Sequence, residues 1–256
     1  MKITRAVVPS LFTVLNMFCG FISMIAASKG EFVSAAWFII LAAGFDSLDG
    51  VMARITKSTS EFGVEIDSLS DIVSFGAAPA FLAYEIHLHT LQGMGILLSS
   101  LLMIFGGLRL ARFNVQLVGF DKDHFVGLPI PVSALTIAAF VLNYWREESG
   151  LHVNAAQVLP YMTVALSLLM VSRVKYDTLP RISRRAVKRE PWKFVFFALA
   201  IIVVFVTGGS AIFPLLVLFA ALGIVRHVAG LVKHLLHSQQ KLEEDDESVE
   251  PTRVDI

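Results

Sequence analysis

Residues 46–71 read DSLDGVMARITKSTSEFGVEIDSLSD and place four aspartates at regular intervals inside a strongly apolar chain. Residues three and four positions apart share one face of a helix. Asp46 and Asp49 therefore lie on one stripe of a predicted helix. The same stripe carries Gly50, Ala53 and Arg54. Two of these neighbours are small, and small residues let a bulky group approach the backbone closely.

The second half of this stretch repeats the arrangement on the following helix. A loop rich in serine and threonine, residues 55–62, separates the two halves. Gly63, Asp67 and Asp71 then follow one another at steps of four, which again places them on one helical face. We expect two adjacent helices whose stripes each carry a glycine and two carboxylates.

The composition predicts a membrane protein. Of the 256 residues, 55% are hydrophobic and 16% are charged, whereas soluble domains contain about 45–50% apolar and about 25% charged residues. A soluble all-helical core is the alternative, but the long apolar runs favour membrane spans, each needing about 20 residues. The single cysteine, Cys19, excludes an internal disulfide.

The first apolar run has two interpretations. Basic residues precede it and small residues end it, as in a secretory signal. It also contains Pro9, Thr13 and Asn16, and polar residues inside a span are costly and generally functional. We therefore expect a retained first helix.

Eight helices are predicted, and they make the fold class all-α and polytopic. Their approximate bounds are 8–28, 32–54, 63–86, 94–114, 128–146, 155–173, 193–207 and 211–232. We expect four segments: a six-helix catalytic transmembrane domain at 1–173, a basic cytoplasmic loop at 174–192, two additional transmembrane helices at 193–237, and a charged, disordered tail at 238–256.

The positive charges predict the orientation of these helices. With a cytoplasmic N-terminus, all but two of the 21 lysines and arginines, Lys29 and Arg146, fall on the cytoplasmic side. Positive residues in short loops favour the cytoplasm. We expect an integral protein of a bacterial inner membrane, with both termini and the four aspartates at the cytoplasmic side.

The negative charge of four aspartates at membrane depth must be neutralised or paired, because the free-energy cost of burying an unpaired charge is prohibitive. Protonation and pairing with Arg54 or Lys57 are two possible solutions. Hard divalent cations are a third, since carboxylate oxygens are their preferred ligands. Four carboxylates on two facing helices suit two metals about 3.5–4 Å apart, an arrangement used for phosphoryl displacement. A helix-end cluster of capping and solvated acids is the plain alternative.

The spacing Asp-x2-Asp-Gly-x2-Ala-Arg-x8-Gly-x3-Asp-x3-Asp over residues 46–71 matches the signature of the CDP-alcohol phosphatidyltransferase family. The motif covers about a tenth of the chain. The resemblance implies that a CDP-linked lipid donates its phosphatidyl group to an alcohol and releases CMP. It also suggests a homodimer.

The family resemblance further implies residue roles. Asp46, Asp49, Asp67 and Asp71 are expected to bind Mg²⁺ or Mn²⁺, with two ions present. Asp71 is also expected to act as the general base toward the attacking hydroxyl. The residues expected at CDP-diacylglycerol are Thr13, Asn16, Asp49, Gly50, Ala53, Arg54, Ser60 and Gly63. Thr13 and Asn16 have an alternative role as interhelical hydrogen-bonding residues.

Two weaker strings bear on the acceptor alcohol. Leu-Ala-Arg-Phe-Asn at 110–114 and Phe-x-Gly-Leu-Pro-x-Pro at 125–131 resemble the phosphatidylserine synthase branch of the family. Arginine suits carboxylate recognition, so Arg109, Arg112 and Asn114 are the expected serine-binding residues. The alternative for Arg109 and Arg112 is that they snorkel to the membrane interface. The alternative for residues 125–131 is a simple helix start with proline in the first turn.

The resulting expectation is transfer of the phosphatidyl group to L-serine, with CDP-diacylglycerol as donor, membrane lipid around the protein and no nucleic-acid partner. The same reaction with glycerol 3-phosphate or an inositol phosphate is the nearest alternative. A divalent-cation transporter with an intramembrane aspartate site is a remote one. Transporters place such sites near the bilayer midplane, whereas these aspartates fall at one membrane edge.

Overall fold

A computed structural model describes residues 7–56, 61–117, 125–176, 199, 202–204 and 206–247. Helices dominate these residues. The α-helices are α1 Val7–Ser28, α2 Phe32–Thr56, α3 Glu61–Asp71, α4 Ala78–Ile86, α5 Gly93–Leu117, α6 Ile130–Tyr144, α7 Val153–Val171 and α8 Ile212–Glu247. A π-helical segment, Ile72–Ala77, joins α3 to α4, and a 3₁₀ turn, Leu88–Leu91, precedes α5.

Among the described residues, four two-residue strands form two small antiparallel ladders, one at each end of α6 and α7. β2 (Trp145–Arg146) pairs with β3 (Gly150–Leu151) in a hairpin between α6 and α7. β1 (Phe125–Val126) pairs with β4 (Lys175–Tyr176). The second ladder connects the segment that enters α6 with the segment that leaves α7.

The all-α polytopic fold is confirmed. Six stretches of the described residues are long and apolar enough to span a membrane, and α3, the π-helical segment and α4 together form one of them. Helix α6 is apolar but shorter. The chain is therefore an integral membrane protein. The predicted seventh helix, 193–207, lies largely outside the described residues, although residues 199, 202–204 and 206 are helical.

Helix α8 is longer than the sequence pattern predicts. We expected a helix at 211–232 and a disordered tail from 238, but α8 continues to Glu247. Glutamine, lysine, leucine and glutamate dominate residues 239–244 and are good helix formers. Its 36 residues extend over about 54 Å, which exceeds the roughly 30 Å hydrocarbon core of a bilayer. Residues 248–256 of the predicted tail lie outside the described residues.

The helix predicted at 63–86 is interrupted by the π-helical segment directly after Asp71. Pro79 supplies the physical reason, because proline lacks an N–H and its ring clashes with the carbonyl four residues earlier. The N–H of Ala78 instead reaches back five residues to the Val73 carbonyl. Such π-bulges are frequent at functional sites. The bulge changes the rotation of α4 relative to the aspartate-bearing face of α3.

Two serines attach this interrupted helix to α1. Ser70 Oγ donates to the Thr13 carbonyl at 2.9 Å, and Ser74 Oγ donates to the Asn16 carbonyl at 2.8 Å. Gly20 permits the close approach, because a Cβ there would lie 2.6 Å from Ser74 Cα. Helix α1 is therefore packed tightly against both sides of Asp71.

Gly20→Val should destabilise the protein by about 1–3 kcal/mol, the usual cost of overpacking a close-packed site. Gly44→Val is the matched control, because a Cβ at Gly44 meets nothing within 4 Å. Thermal unfolding of the two purified variants in detergent measures the difference. Equal melting temperatures would contradict the close packing of α1 on Ser74.

Candidate metal and substrate site

Three of the four aspartates form a compact cluster between the second half of α2 and the last turns of α3. One carboxylate oxygen from each of Asp46, Asp67 and Asp71 lies within 4.8 Å of the other two. Asp67 and Asp71 are one turn apart on α3, so they share a face as the spacing predicted. Asp46 reaches them from α2. The structure thus brings the two predicted stripes together.

Asp49 lies beside this cluster without joining it. It is electrostatically coupled to Asp46 and Asp67. Its Oδ2 accepts a hydrogen bond from Thr13 Oγ1, and its side chain is 8% exposed. Thr13 is therefore an interhelical hydrogen-bonding residue between α1 and α2, one of the two roles considered for it.

Asp71 occupies the most enclosed corner of the cluster. Asn16 is fully buried and lies beside it, yet among the described residues none is in hydrogen-bond geometry with either amide atom of Asn16 or with Asp71 Oδ1. Arg109 is only 7% exposed and interacts electrostatically with Asp71. The guanidinium offsets part of the negative charge that three neighbouring carboxylates create.

The donor set fits a hard divalent cation. Carboxylates on two helices converge, one Asp71 oxygen lacks a hydrogen-bond partner, and like charges at this distance repel one another. A cation would relieve the repulsion and complete the coordination of that oxygen. Asp46, Asp67 and Asp71 are therefore placed to hold one metal ion, and Asp49 offers a fourth carboxylate beside them.

Two polar side chains near the end of α5 connect it to other helices. Asn114 Nδ2 donates to Ser68 Oγ at 2.9 Å, and Ser68 adjoins Asp67 in sequence. Arg112 is half-buried, and its Nη1 makes a long 3.4 Å hydrogen bond to the Val171 carbonyl. Asn114 thus connects α5 to the aspartate helix, whereas Arg112 connects α5 to the end of α7.

The other predicted donor contacts are partly described. Gly50 is exposed on the second half of α2, and Gly63 is half-buried near the start of α3. Ala53 and Arg54 lie on α2, but their side chains are outside the described part of the structure, as is the whole of Ser60. The two glycines leave backbone accessible on the stripes that carry the aspartates.

Sequence reasoning did not identify three residues that build the site. Ser68, Ser70 and Ser74 connect α3 and the π-helical segment to α5 and α1. Ser70 and Ser74 are four positions apart, and this shared face was the available signal; Ser68 lies on the other side of the helix, toward α5. Serine in membrane helices commonly bonds to a neighbouring helix, but the sequence does not say to which one.

Sequence comparisons match the chain to one family of known proteins. The family model described as CDP-alcohol phosphatidyltransferase matches residues 6–169. The chain is 34% identical over 237 residues to a CDP-diacylglycerol–serine O-phosphatidyltransferase of Helicobacter pylori, covering 91% of this chain and 95% of that one. It is 40% identical over 178 residues to an archaetidylserine synthase of Methanothermobacter thermautotrophicus, covering 68% and 72%.

A third relative is a CDP-diacylglycerol–serine O-phosphatidyltransferase of Bacillus subtilis, 33% identical over 169 residues. That alignment covers 66% of this chain and 89% of the Bacillus protein. The matched family region ends within α7. The four aspartates of residues 46–71 and the predicted acceptor residues on α5 lie inside it.

Asp67→Asn should weaken Mn²⁺ binding by more than about 10-fold, because even groups that only orient a metal ligand contribute about 10–100-fold to affinity. Glu65→Gln is the matched control, since Glu65 is exposed on the same helix and outside the cluster. Titration calorimetry with Mn²⁺ compares the two variants. Equal affinities would contradict a metal site at Asp46, Asp67 and Asp71.

Proposed function

The chain belongs to the CDP-alcohol phosphatidyltransferase family, and we propose from this membership that it transfers the phosphatidyl group of CDP-diacylglycerol to the hydroxyl of L-serine. The products are phosphatidylserine and CMP. One observation carries the proposal: Asp46, Asp67 and Asp71 converge within the motif that first carried the resemblance. The family match confirms that resemblance, and the names of the three relatives support serine as the acceptor.

The reaction is a displacement at phosphorus. The serine hydroxyl oxygen forms a bond to the phosphatidyl phosphorus, and the bond from that phosphorus to the oxygen it shares with CMP breaks. CMP leaves with that oxygen, and the hydroxyl proton passes to a base. When bound, divalent metal, proposed as two Mg²⁺ or Mn²⁺ ions held by Asp46, Asp49, Asp67 and Asp71, neutralises the diphosphate and assists departure of CMP.

Asp71 is the proposed base. A carboxylate can accept the hydroxyl proton if it lies within hydrogen-bond reach. Its Oδ1 has no hydrogen-bond partner within the described structure, and the buried Arg109 guanidinium interacts with the Asp71 carboxylate electrostatically. An oxygen without a partner, beside a buried guanidinium, supports Asp71 as the proton acceptor.

Donor binding is assigned to the small-residue stripes of α2 and α3. We propose that the cytidine diphosphate lies against Gly50, Ala53 and Gly63, with Arg54 and Ser60 contacting its phosphates. Thr13 and Asn16 support this face from α1. The direct contact of Thr13 with Asp49 favours an indirect role for Thr13, in which it orients a carboxylate that the donor side of the site uses.

Acceptor binding is assigned to the end of α5. Arg109 is buried beside Asp71, which favours charge compensation over direct contact with serine. Arg112 is more accessible, and a guanidinium matches the serine carboxylate well. Asn114 adjoins the cluster through Ser68. Arg112 and Asn114 are therefore the preferred serine contacts.

The distribution of lysine and arginine supports a site at the cytoplasmic face of a bacterial inner membrane. Serine would then arrive from the cytosol while the acyl chains of the donor remain in the bilayer. The family resemblance supports a homodimer. Crosslinking of the purified protein in native lipid would test the dimer independently of the reaction.

Purified protein with CDP-diacylglycerol should release CMP only when serine and Mg²⁺ or Mn²⁺ are both present. Labelled serine should appear in lipid in equal molar amount, because one phosphatidyl group is transferred per CMP released. Glycerol 3-phosphate and inositol phosphate serve as competing acceptors in the same assay. If either competitor were incorporated into lipid in preference to serine, that competitor would be the acceptor, and the proposed reaction class would still hold.

Asp71→Asn should abolish turnover and largely retain CDP-diacylglycerol binding. Asparagine keeps one oxygen but cannot accept the hydroxyl proton, and the other ligands remain. Losing a general base typically costs about 10²–10⁴-fold in rate. Single-turnover CMP release and equilibrium lipid binding measure the two effects. Near-normal turnover in this variant would exclude Asp71 as the base.

A further inference from the structure

Tyr176 connects the end of the catalytic helices to α8. Its side chain is 2% exposed, and its hydroxyl donates to the Ala220 carbonyl at 3.2 Å. Burial raises the pKa of Tyr176 to about 12, so the phenol stays protonated and remains a donor. The ring also packs on Phe219, with centroids 5.6 Å apart.

A glycine on α8 makes room for this ring. A Cβ at Gly223 would overlap Cε1 of Tyr176 and lie 2.6 Å from Cδ1. Even alanine at 223 therefore displaces the ring or the helix. By contrast, Gly230, two turns further along α8, has open space where its Cβ would lie. Close approach to Tyr176 is thus specific to position 223.

Tyr176 ends a segment, residues 169–176, that we call the collar. The collar carbonyls accept hydrogen bonds from the entry to α6: Leu128 N donates to Leu169 O at 2.9 Å, and Gly127 N donates to Val174 O at 2.8 Å. Gly127 adopts φ +86°, and a Cβ there would overlap the Met170 carbonyl. The β1–β4 ladder adds a further connection.

The same segment contacts the proposed acceptor side of the site. Arg112 Nη1 donates to the Val171 carbonyl, midway between the two collar carbonyls that hold the α6 entry. Asn114, two residues further on α5, connects to Ser68 beside Asp67. A shift of the collar therefore moves a hydrogen-bond partner of Arg112. The hydrogen bonds described above between α1 and the aspartate-bearing helices have both partners outside the collar.

We propose that α8 is a positioning element for acceptor binding, acting through Tyr176 and the collar on Arg112. This inference rests on the proposed function, because it takes serine as the acceptor and Arg112 as its contact. Tyr176 and Gly223 are positioning residues, since neither touches the aspartate cluster. Disturbing their contact should weaken binding of serine and leave binding of CDP-diacylglycerol unchanged.

The test compares Gly223→Ala with Gly230→Ala in the full-length protein. Both changes add one methyl group and raise helix propensity equally, so they differ in the clash with Tyr176. Gly223→Ala should raise KM for serine about fivefold or more, the factor that corresponds to about 1 kcal/mol of lost binding. KM for CDP-diacylglycerol, Mn²⁺ affinity and the Gly230→Ala values should match those of the unsubstituted protein.

Two more variants separate positioning from general destabilisation. Tyr176→Phe removes the bond to Ala220 and keeps the ring, so it should raise KM for serine to a smaller extent without altering KM for the donor. In a Tyr176→Ala background, Gly223→Ala should add nothing, because the ring it would meet is gone. If Gly223→Ala does not fold, Tyr176→Phe decides the matter.

The outcomes distinguish this inference from the proposed function. No serine-dependent CMP release by the unsubstituted protein would remove the proposed function itself. Normal serine-dependent release, with KM for serine unaltered in both Gly223→Ala and Tyr176→Phe, would overturn only the role of α8. Equal changes in the KM values of serine and donor would also overturn it, because they would indicate a general loss of structure.

Discussion

Mutual repulsion among carboxylates in a low-dielectric environment is the constraint on which the arrangement of this bundle depends. Asp46, Asp67 and Asp71 bring oxygens within 4.8 Å of one another, and Asp49 lies beside them. Burial of such charges is prohibitive without compensation. The protein supplies part of it through Arg109 and Thr13. The remaining charge is what makes the cluster suited to divalent cations.

Holding the carboxylates together requires helices that approach closely and do not slide. Gly20 lets α1 contact Ser74, and two serine hydroxyls bond to α1 carbonyls on either side of Asp71. In lipid the hydrophobic effect does not drive helices together, so hydrogen bonds and close packing hold them instead. The π-helical segment that follows Asp71 then permits α4 to pack at a different rotation from α3.

The donor and acceptor sides of the proposed site are built by different helices. Helices α2 and α3 carry the aspartates and the small residues, and α1 packs against them. Helix α5 carries Arg112 and Asn114. The collar connects α5 with α6, α7 and α8. This separation gives a physical reason to expect that donor and acceptor binding respond to different substitutions. Helix α8 lies outside the matched family region, and its contact with Tyr176 connects it to the acceptor side through the collar.

Much of this could be predicted from the sequence, because helical periodicity and long apolar runs are local properties. They identified the membrane helices and the two aspartate stripes of residues 46–71, and the motif spacing identified the family. The contacts of Thr13 with Asp49, Asn114 with Ser68 and Tyr176 with Gly223 were decided by the tertiary structure alone. Each joins residues distant in sequence, and each depends on how one helix is rotated and shifted against another. Periodicity specifies which residues share a face of a helix, but only packing determines what that face meets.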